Sequence, residues 1–197
     1  GGYYYTNGKV GKTVGLIQVE DSYYFVEYSG KCVTGKTYAW ATNCDLPMGN
    51  YEFAADGKML NGIVEKDDGI YCYVNGNLGK TAGLTKVDDS YYFVNCDGKC
   101  ATGKIYAWAT NCDLPEGHYE FGADGKALDG FVTKDGELYY FENGKLGTVG
   151  INNINGDYYF VGYDGKLTVN CSFYVWQGNG ILAEQTYTFN EKGQIIG

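Results

Sequence analysis

One phrase recurs three times in this chain: SYYFVEYSGKCVTGK at residues 22–36, SYYFVNCDGKCATGK at 90–104 and, in shorter form, DYYFVGYDGK at 157–166. With Gly15 placed on Gly83, the identity extends over a full unit. GLIQVEDSYYFV matches GLTKVDDSYYFV, and TYAWATNCDLPMGNYEF matches IYAWATNCDLPEGHYEF. The period is 68 residues, and a third copy opens at Gly150, 67 residues further on. The expected organisation is a single repeat array over 1–197: the end of a truncated unit at 1–14, a first unit at 15–82, a second at 83–149 and a partial third at 150–197. An internal repeat of this kind constrains the fold first, because each copy must bury its apolar face against its neighbours.

Each unit divides further. A turn of the form Asp/Asn/Ser-Gly-Lys/Asn recurs at Asn7-Gly8, Ser29-Gly30, Asp56-Gly57, Asn75-Gly76, Asp97-Gly98, Asp124-Gly125, Asn143-Gly144 and Asp164-Gly165. Asn-Gly and Asp-Gly supply the positive φ of tight turns. Three sub-units per unit follow, each with an aromatic strand before its turn and a partner strand upstream. Leu16 to Val19 pairs with Tyr23 to Val26 across Glu20-Asp21. Ile63-Val64 pairs with Ile70 to Val74 across Lys66-Asp67-Asp68. Lys36 to Asn43 pairs with Tyr51 to Ala54 across the longer loop CDLPMG. A lone hairpin is marginal in water, so successive hairpins are expected to stack as a solenoid. The predicted fold class is an all-β hairpin solenoid with about three hairpins per 68-residue turn.

Composition agrees with short strands and tight turns: Gly 31, Tyr 21 and Pro 2. The formal net charge is −9 and the chain has no arginine. That argues against nucleic acid, which demands a basic footprint, and against docking on anionic lipid. It reads most simply as a solubilising surface. No apolar run approaches the ~18 residues of a membrane span, so membrane insertion is not expected. No signal-peptide pattern opens the chain, and it begins inside a repeat, so it reads as a fragment of something longer.

The pattern G-[IL]-x-x-[VI]-x-x-x-YYFV-x-x-DGK-x-x-TGK resembles the cell-wall-binding repeats of Gram-positive surface proteins, which include choline-binding modules, glucan-binding domains and the repetitive tails of clostridial toxins. The resemblance covers nearly the whole chain, with the GLxxVDxSYYFxxxDGK segments its specific part and the YAWATNCDLP sub-unit atypical. It implies hairpin repeats of about 20 residues wound into a left-handed superhelix, a secreted or cell-surface setting, and a binding role. The aromatic cage of choline-binding repeats is interrupted, however. Where those repeats place tryptophan, this chain has Leu16, Leu84 and Ile151, and then Ser22, Ser90 and Asp157. Without aromatic faces there, a quaternary ammonium has little to bind.

The three tryptophans, Trp40, Trp108 and Trp176, occupy one repeat position, and each follows a tyrosine by two residues: Tyr38, Tyr106 and Tyr174. On a strand, residues i and i+2 share a face. Each unit therefore presents a Tyr-Trp pair that either packs inward as core or stands outward as a ladder able to stack on sugar rings. The tandem tyrosines Tyr23-Tyr24, Tyr91-Tyr92 and Tyr158-Tyr159 point to opposite faces, so one of each pair is expected to be buried against the next hairpin, while the other either packs across strands on a half-exposed sheet or serves as a weaker binding candidate.

Cys32 with Cys44 and Cys100 with Cys112 recur together, and the third copy loses both. Joint presence and absence suggests two disulfides and an oxidising compartment. Geometry opposes it, because residues 33–43 fully extended would hold the ends more than ~30 Å apart, so a bond requires a reversal near Thr34-Gly35-Lys36. Cys72 and Cys96 stand where other copies have tyrosine, at Tyr4 and Tyr140 and at Tyr28 and Tyr163. No C-x-x-C is present, and the one histidine, His118, is aligned with Asn50. Neither a metal site nor a catalytic base with a fixed partner is implied, and no cofactor is expected.

The expected function is non-catalytic attachment at the cell surface to cell-wall or extracellular carbohydrate. The alternative is a structural spacer or adhesion stalk that meets a host or bacterial surface protein and has no glycan site.

Overall fold

The computed structural model describes residues 2–196. Among these residues the regular structure is entirely strand, with no helix and no sheet of more than three strands. The chain is all-β, a series of antiparallel hairpins of the solenoid type. It divides into two compact units, one running up to Gly83 together with Phe93–Cys100, the other comprising Leu84–Tyr92 together with the chain from Ala101 onward.

In the first unit the hairpins are Tyr5–Thr6 with Lys9–Val10, Gly15–Val19 with Ser22–Val26, and Gly35–Ala39 with Gly49–Phe53. Gly62–Lys66, Gly69–Val74 and Asn77–Leu78 then form a three-stranded meander. In the second unit Gly103–Ala107 pairs with Gly117–Phe121, and Gly130–Lys134, Glu137–Glu142 and Lys145–Leu146 form the matching meander. Gly150–Ile154 pairs with Asp157–Val161, and Cys171–Tyr174 with Thr186–Phe189. The three expected pairings form, but the strand expected over Lys36 to Asn43 ends at Ala39, and Asn77–Leu78 and Lys145–Leu146 add third strands.

The turns are of two kinds that the sequence pattern merges. Asn7-Gly8, Asn75-Gly76 and Asn143-Gly144 are two-residue hairpin tips with both residues at positive φ, the conformation that matches strand twist. The Asp-Gly-Lys turns differ: only the glycine is left-handed. There the Asp side chain accepts the backbone N–H two residues on, as from Lys58 to Asp56 (2.9 Å), Lys99 to Asp97 (3.0 Å) and Lys166 to Asp164 (3.1 Å). Aspartate at these turns is thus a backbone requirement.

Stacking is carried by hydrogen bonds from each hairpin to the next. In the first unit the Tyr4 N–H donates to the Gly30 carbonyl (2.9 Å), Met59 to Tyr23 (2.8 Å), Glu52 to Gly76 (2.9 Å) and Cys72 to Gly98 (2.9 Å). In the second, Ala127 donates to Tyr91 (2.8 Å), Glu120 to Gly144 (2.8 Å), Leu167 to Leu138 (2.8 Å) and Ile195 to Tyr158 (2.9 Å). The repeated turn glycines make the close approach possible. A Cβ on Gly30 or Gly165 would fall inside the Val10 or Leu146 side chain, and one on Gly98 would lie 2.9 Å from the Leu78 Cβ. Apolar clusters sit between the stacked hairpins, as with Leu16, Phe25, Ala39, Tyr51, Phe53 and Met59 in the first unit. Ile151, Phe160, Val175, Tyr187 and Phe189 form one in the second. Leu16, Leu84 and Ile151 are fully buried, so the first of the two positions that hold tryptophan in choline-binding repeats serves here as core, while Ser22 and Ser90 are half-buried and Asp157 is exposed.

The CDLP loops are closed by side chains. The Thr42 hydroxyl donates to the Leu46 carbonyl (2.7 Å), and the Tyr51 hydroxyl to the Pro47 carbonyl (2.6 Å). Thr110 with Leu114 and Tyr119 with Pro115 repeat both bonds at the same lengths. Asn43 fixes the loop to the preceding hairpin by donating to the Val14 carbonyl (2.7 Å).

Candidate functional site

The Tyr-Trp positions lie at the outer end of the Gly35–Ala39, Gly103–Ala107 and Cys171–Tyr174 strands. Alternation decides their direction: Ala39 and Val175 are fully buried between exposed neighbours. Tyr38, Trp40, Tyr106, Trp108, Tyr174 and Trp176 all face solvent, at 37% to 56% exposure. Of the two orientations left open by the sequence, the outward one is found.

The structure adds a residue that strand periodicity could not supply. Tyr28 follows the Ser22–Val26 strand and lies over Trp40, with ring centroids 5.4 Å apart and an interplanar angle of 23°. Tyr163 lies over Trp176 at 5.2 Å and 15°. Behind each indole the ring of Phe25 or Phe160 packs edge-on, at 5.8 and 5.6 Å. Offset stacking with an edge-on third ring is a favourable arrangement of aromatic quadrupoles. Its effect here is positional. One face of each tyrosine is held against indole, and the rest is open, since Tyr28 is 83% and Tyr163 79% exposed. The signal in the sequence was the Tyr28/Tyr163 equivalence itself, with Cys96 at the same position in the middle copy.

The tandem tyrosines do not divide into one buried and one exposed. Tyr91 and Tyr92 are both buried, Tyr23 and Tyr24 are both half-buried, and only Tyr158-Tyr159 mixes the two states. The cause is the neighbouring loop, which covers the outward ring. The Tyr23 hydroxyl donates to Asp45 Oδ1 (3.0 Å) and that of Tyr91 to Asp113 Oδ1 (3.0 Å). The bond to Asp45 raises the Tyr23 phenol above its ordinary value, with burial and the Asp45 charge adding to it. These tyrosines anchor loops.

The cysteines correct the expected pairing. All seven are free thiols. Cys32 packs with Ile17 and Val26, whereas Cys44 packs against the cluster of Leu16, Phe25 and Tyr51. Adjacent residues of one strand point to opposite faces, so Cys32 and Cys44 sit on the two sides of the Gly15–Val19 hairpin. Cys44 Sγ instead lies 3.4 Å from the Thr42 hydroxyl, and Cys112 Sγ lies 3.6 Å from that of Thr110. Among the described residues no cluster of three or more His, Cys, Asp or Glu side chains is placed to hold a metal. His118 meets the Tyr106 ring at 5.1 Å.

Stacked hairpins with repeated outward aromatic rings define a class: hairpin-repeat modules. Within that class, no family model matches the chain. A segment of 108 residues, 54% of the chain, is 29% identical to glucosyltransferase-S of Streptococcus mutans and spans 7% of that enzyme. Among solved structures the chain is similar to choline binding protein F of Streptococcus pneumoniae, at 22% identity and a TM-score of 0.48, covering 99% of this chain and 61% of that one. It is also similar to the modular autolysin LytC of the same organism, solved with a synthetic peptidoglycan ligand. There the identity is 13% and the TM-score 0.42, over 100% of this chain and 47% of that one.

Proposed function

We propose that this chain is a non-catalytic attachment module that binds cell-wall or extracellular polysaccharide at the surface of a Gram-positive bacterium. The observation that carries the reading is the pair of exposed stacks, Tyr28 on Trp40 and Tyr163 on Trp176. A ring held flat and open offers its face to the apolar face of a pyranose at little cost in side-chain entropy. Tyr38, Tyr106 and Tyr174 extend the same aromatic surface, together with Trp108. Repetition turns weak single contacts into avidity on a polymer. The resemblance to glucan- and choline-binding repeats supports a polymer on the cell wall or secreted around it.

The test is a glycan array, followed by titration with the best polysaccharide, using Tyr28→Ala, Trp40→Ala and Trp176→Ala. Tyr28 and Tyr163 are so exposed that removing them leaves the fold intact, and binding is expected to fall about tenfold or more per stack lost. A spacer without a glycan site would bind no polysaccharide in wild-type form. Unchanged binding in the Tyr28→Ala, Trp176→Ala double variant would reject the stacks as the contact.

A further inference from the structure

Two open cavities recur one repeat apart. In the second unit a cavity of about 680 Å³ is lined by Lys104, Tyr106, His118, Tyr119, Glu120 and Lys145, together with the buried Phe141 and the exposed Leu146. In the first unit a cavity of about 470 Å³ is lined by the equivalent Lys36, Tyr38, Asn50, Tyr51 and Glu52, with Lys80. Neither includes a tryptophan, so they are distinct from the stacks described above.

Their charge is unlike that of the molecule. Each cavity has one carboxylate, and it is neutralised from behind by a lysine outside the lining. Lys66 Nζ lies 2.6 Å from Glu52 Oε1, and the Tyr73 hydroxyl donates to Glu52 Oε2 (2.7 Å). Lys134 pairs with Glu120 in the same way, with Phe141 in place of Tyr73. Two lysines per cavity are then left over. Lys104 reaches Glu120 only at 3.9 Å and is largely exposed, while Lys145 sits over the Tyr119 ring, 4.8 Å from its centroid. Among the described residues Lys36, Lys80 and Lys145 have no carboxylate within ion-pair distance. A chain of net charge −9 therefore presents two concave sites that are locally cationic over an aromatic floor. Concave low-dielectric walls focus such a field. In the third copy Ser172 and Thr188 stand in register where the others have Lys36-Glu52 and Lys104-Glu120, and their hydroxyls lie 3.0 Å apart, so the cavity of about 750 Å³ beside them differs in its charged lining.

We propose that these two cavities bind an acidic saccharide unit, a sugar ring bearing a carboxylate or phosphate. The sugar ring lies against Tyr106, or Tyr38, the exposed tyrosine of each cavity, and the anionic group lies between Lys104 and Lys145, or Lys36 and Lys80. His118 and Asn50 supply side-chain nitrogens for ring hydroxyls. This deepens the polysaccharide reading and rests on it: the stacks hold the polymer, and the cavities select for charge along it.

The experiment is calorimetric titration of the full chain with a galacturonate oligomer, with the same oligomer methyl-esterified, and with polyglutamate. A phosphomannan oligosaccharide in parallel distinguishes phosphate from carboxylate as the anion. The variants are Lys36→Gln with Lys80→Gln, Lys104→Gln with Lys145→Gln, all four together, and Trp40→Ala with Trp176→Ala. The expected result is that the galacturonate or phosphomannan oligomer binds about tenfold or more tighter than the esterified one. The quadruple lysine variant removes that preference and keeps the esterified affinity within about twofold. Equal binding of charged and esterified oligomers, or a preference surviving in the quadruple variant, overturns the proposal and leaves the polysaccharide reading standing. Polyglutamate binding as tightly as the acidic sugar also overturns it, as unselective ion pairing. No binding of any saccharide, neutral or acidic, would overturn the polysaccharide reading and this proposal together.

Discussion

If stacking between hairpins is what makes each hairpin persist, the glycine at a hairpin tip and the glycine in the turn that follows the same hairpin should respond differently to the same methyl group. Gly156 and Gly165 both have positive φ, 94° and 79°, so alanine is strained at either, by roughly 1–2 kcal/mol. At Gly156, the hairpin tip, a Cβ meets nothing within 4 Å. At Gly165 it enters the Leu146 side chain of the preceding meander. The chain must then overpack or pull the turn away, at a further cost of about 1–3 kcal/mol. Gly156→Ala is thus expected to cost about 1–2 kcal/mol, and Gly165→Ala about 2–5 kcal/mol. Urea denaturation followed by tryptophan fluorescence reads this directly, because Trp176 packs on Phe160 of the same hairpin. Equal losses for the two variants would refute the reasoning, because backbone strain alone would then account for both.

Three further outcomes follow from particular side chains. In mass-spectrometric alkylation at pH 8, Cys96 and Cys171 are expected to label first, being exposed, while Cys100 stays unlabelled until urea unfolds the chain; its thiol is pushed up to about 12 by burial and by neighbouring Cys72. Burial raises the Glu52 carboxyl, but the hydrogen bonds from Lys66 and Tyr73 and the Lys66 charge outweigh it and hold it below the ordinary value of 4.5. A depressed carboxyl stabilises fully above its unfolded value and loses that contribution as pH falls through the folded one. Tyr73→Phe should therefore cost about 1 kcal/mol at pH 7 and lose less than wild type between pH 7 and pH 3, by thermal denaturation. Thr42→Val opens the CDLP loop by removing the donor to Leu46 and should cost about 1 kcal/mol, with increased proteolysis at residues 44–48 as the readout.

The strand pairings could be read from the chain because their determinants are local. Asn-Gly at 75–76 and 143–144 fixes a two-residue tip, and alternation in GLIQV and SYYFV assigns faces on either side. That Tyr38 and Trp40 share a face follows from the same period of two, whereas the outward direction of that face came from the structure. The tandem tyrosines went astray because the rule assumes an open outer face, and Asp45 and Asp113 arrive from loops 22 residues away to cover it. The cysteines were misread because correlated occurrence reports shared surroundings as readily as a bond. Cys32 and Cys44 each fill a small space, on opposite sides of one hairpin.

By itself, then, the amino-acid order determined that the chain forms hairpins, where each reverses, and that each must meet another, since repeated glycine and aromatic residues leave no self-sufficient core. What stands against what was decided only in three dimensions. The tyrosines stacked on Trp40 and Trp176, the lysines that neutralise Glu52 and Glu120 and the two cationic cavities all join residues from different strands or turns. Local propensity specifies dihedral angles and the direction of a side chain from its own strand. It carries no information about the neighbour brought alongside by stacking, and at this surface that neighbour sets the chemistry.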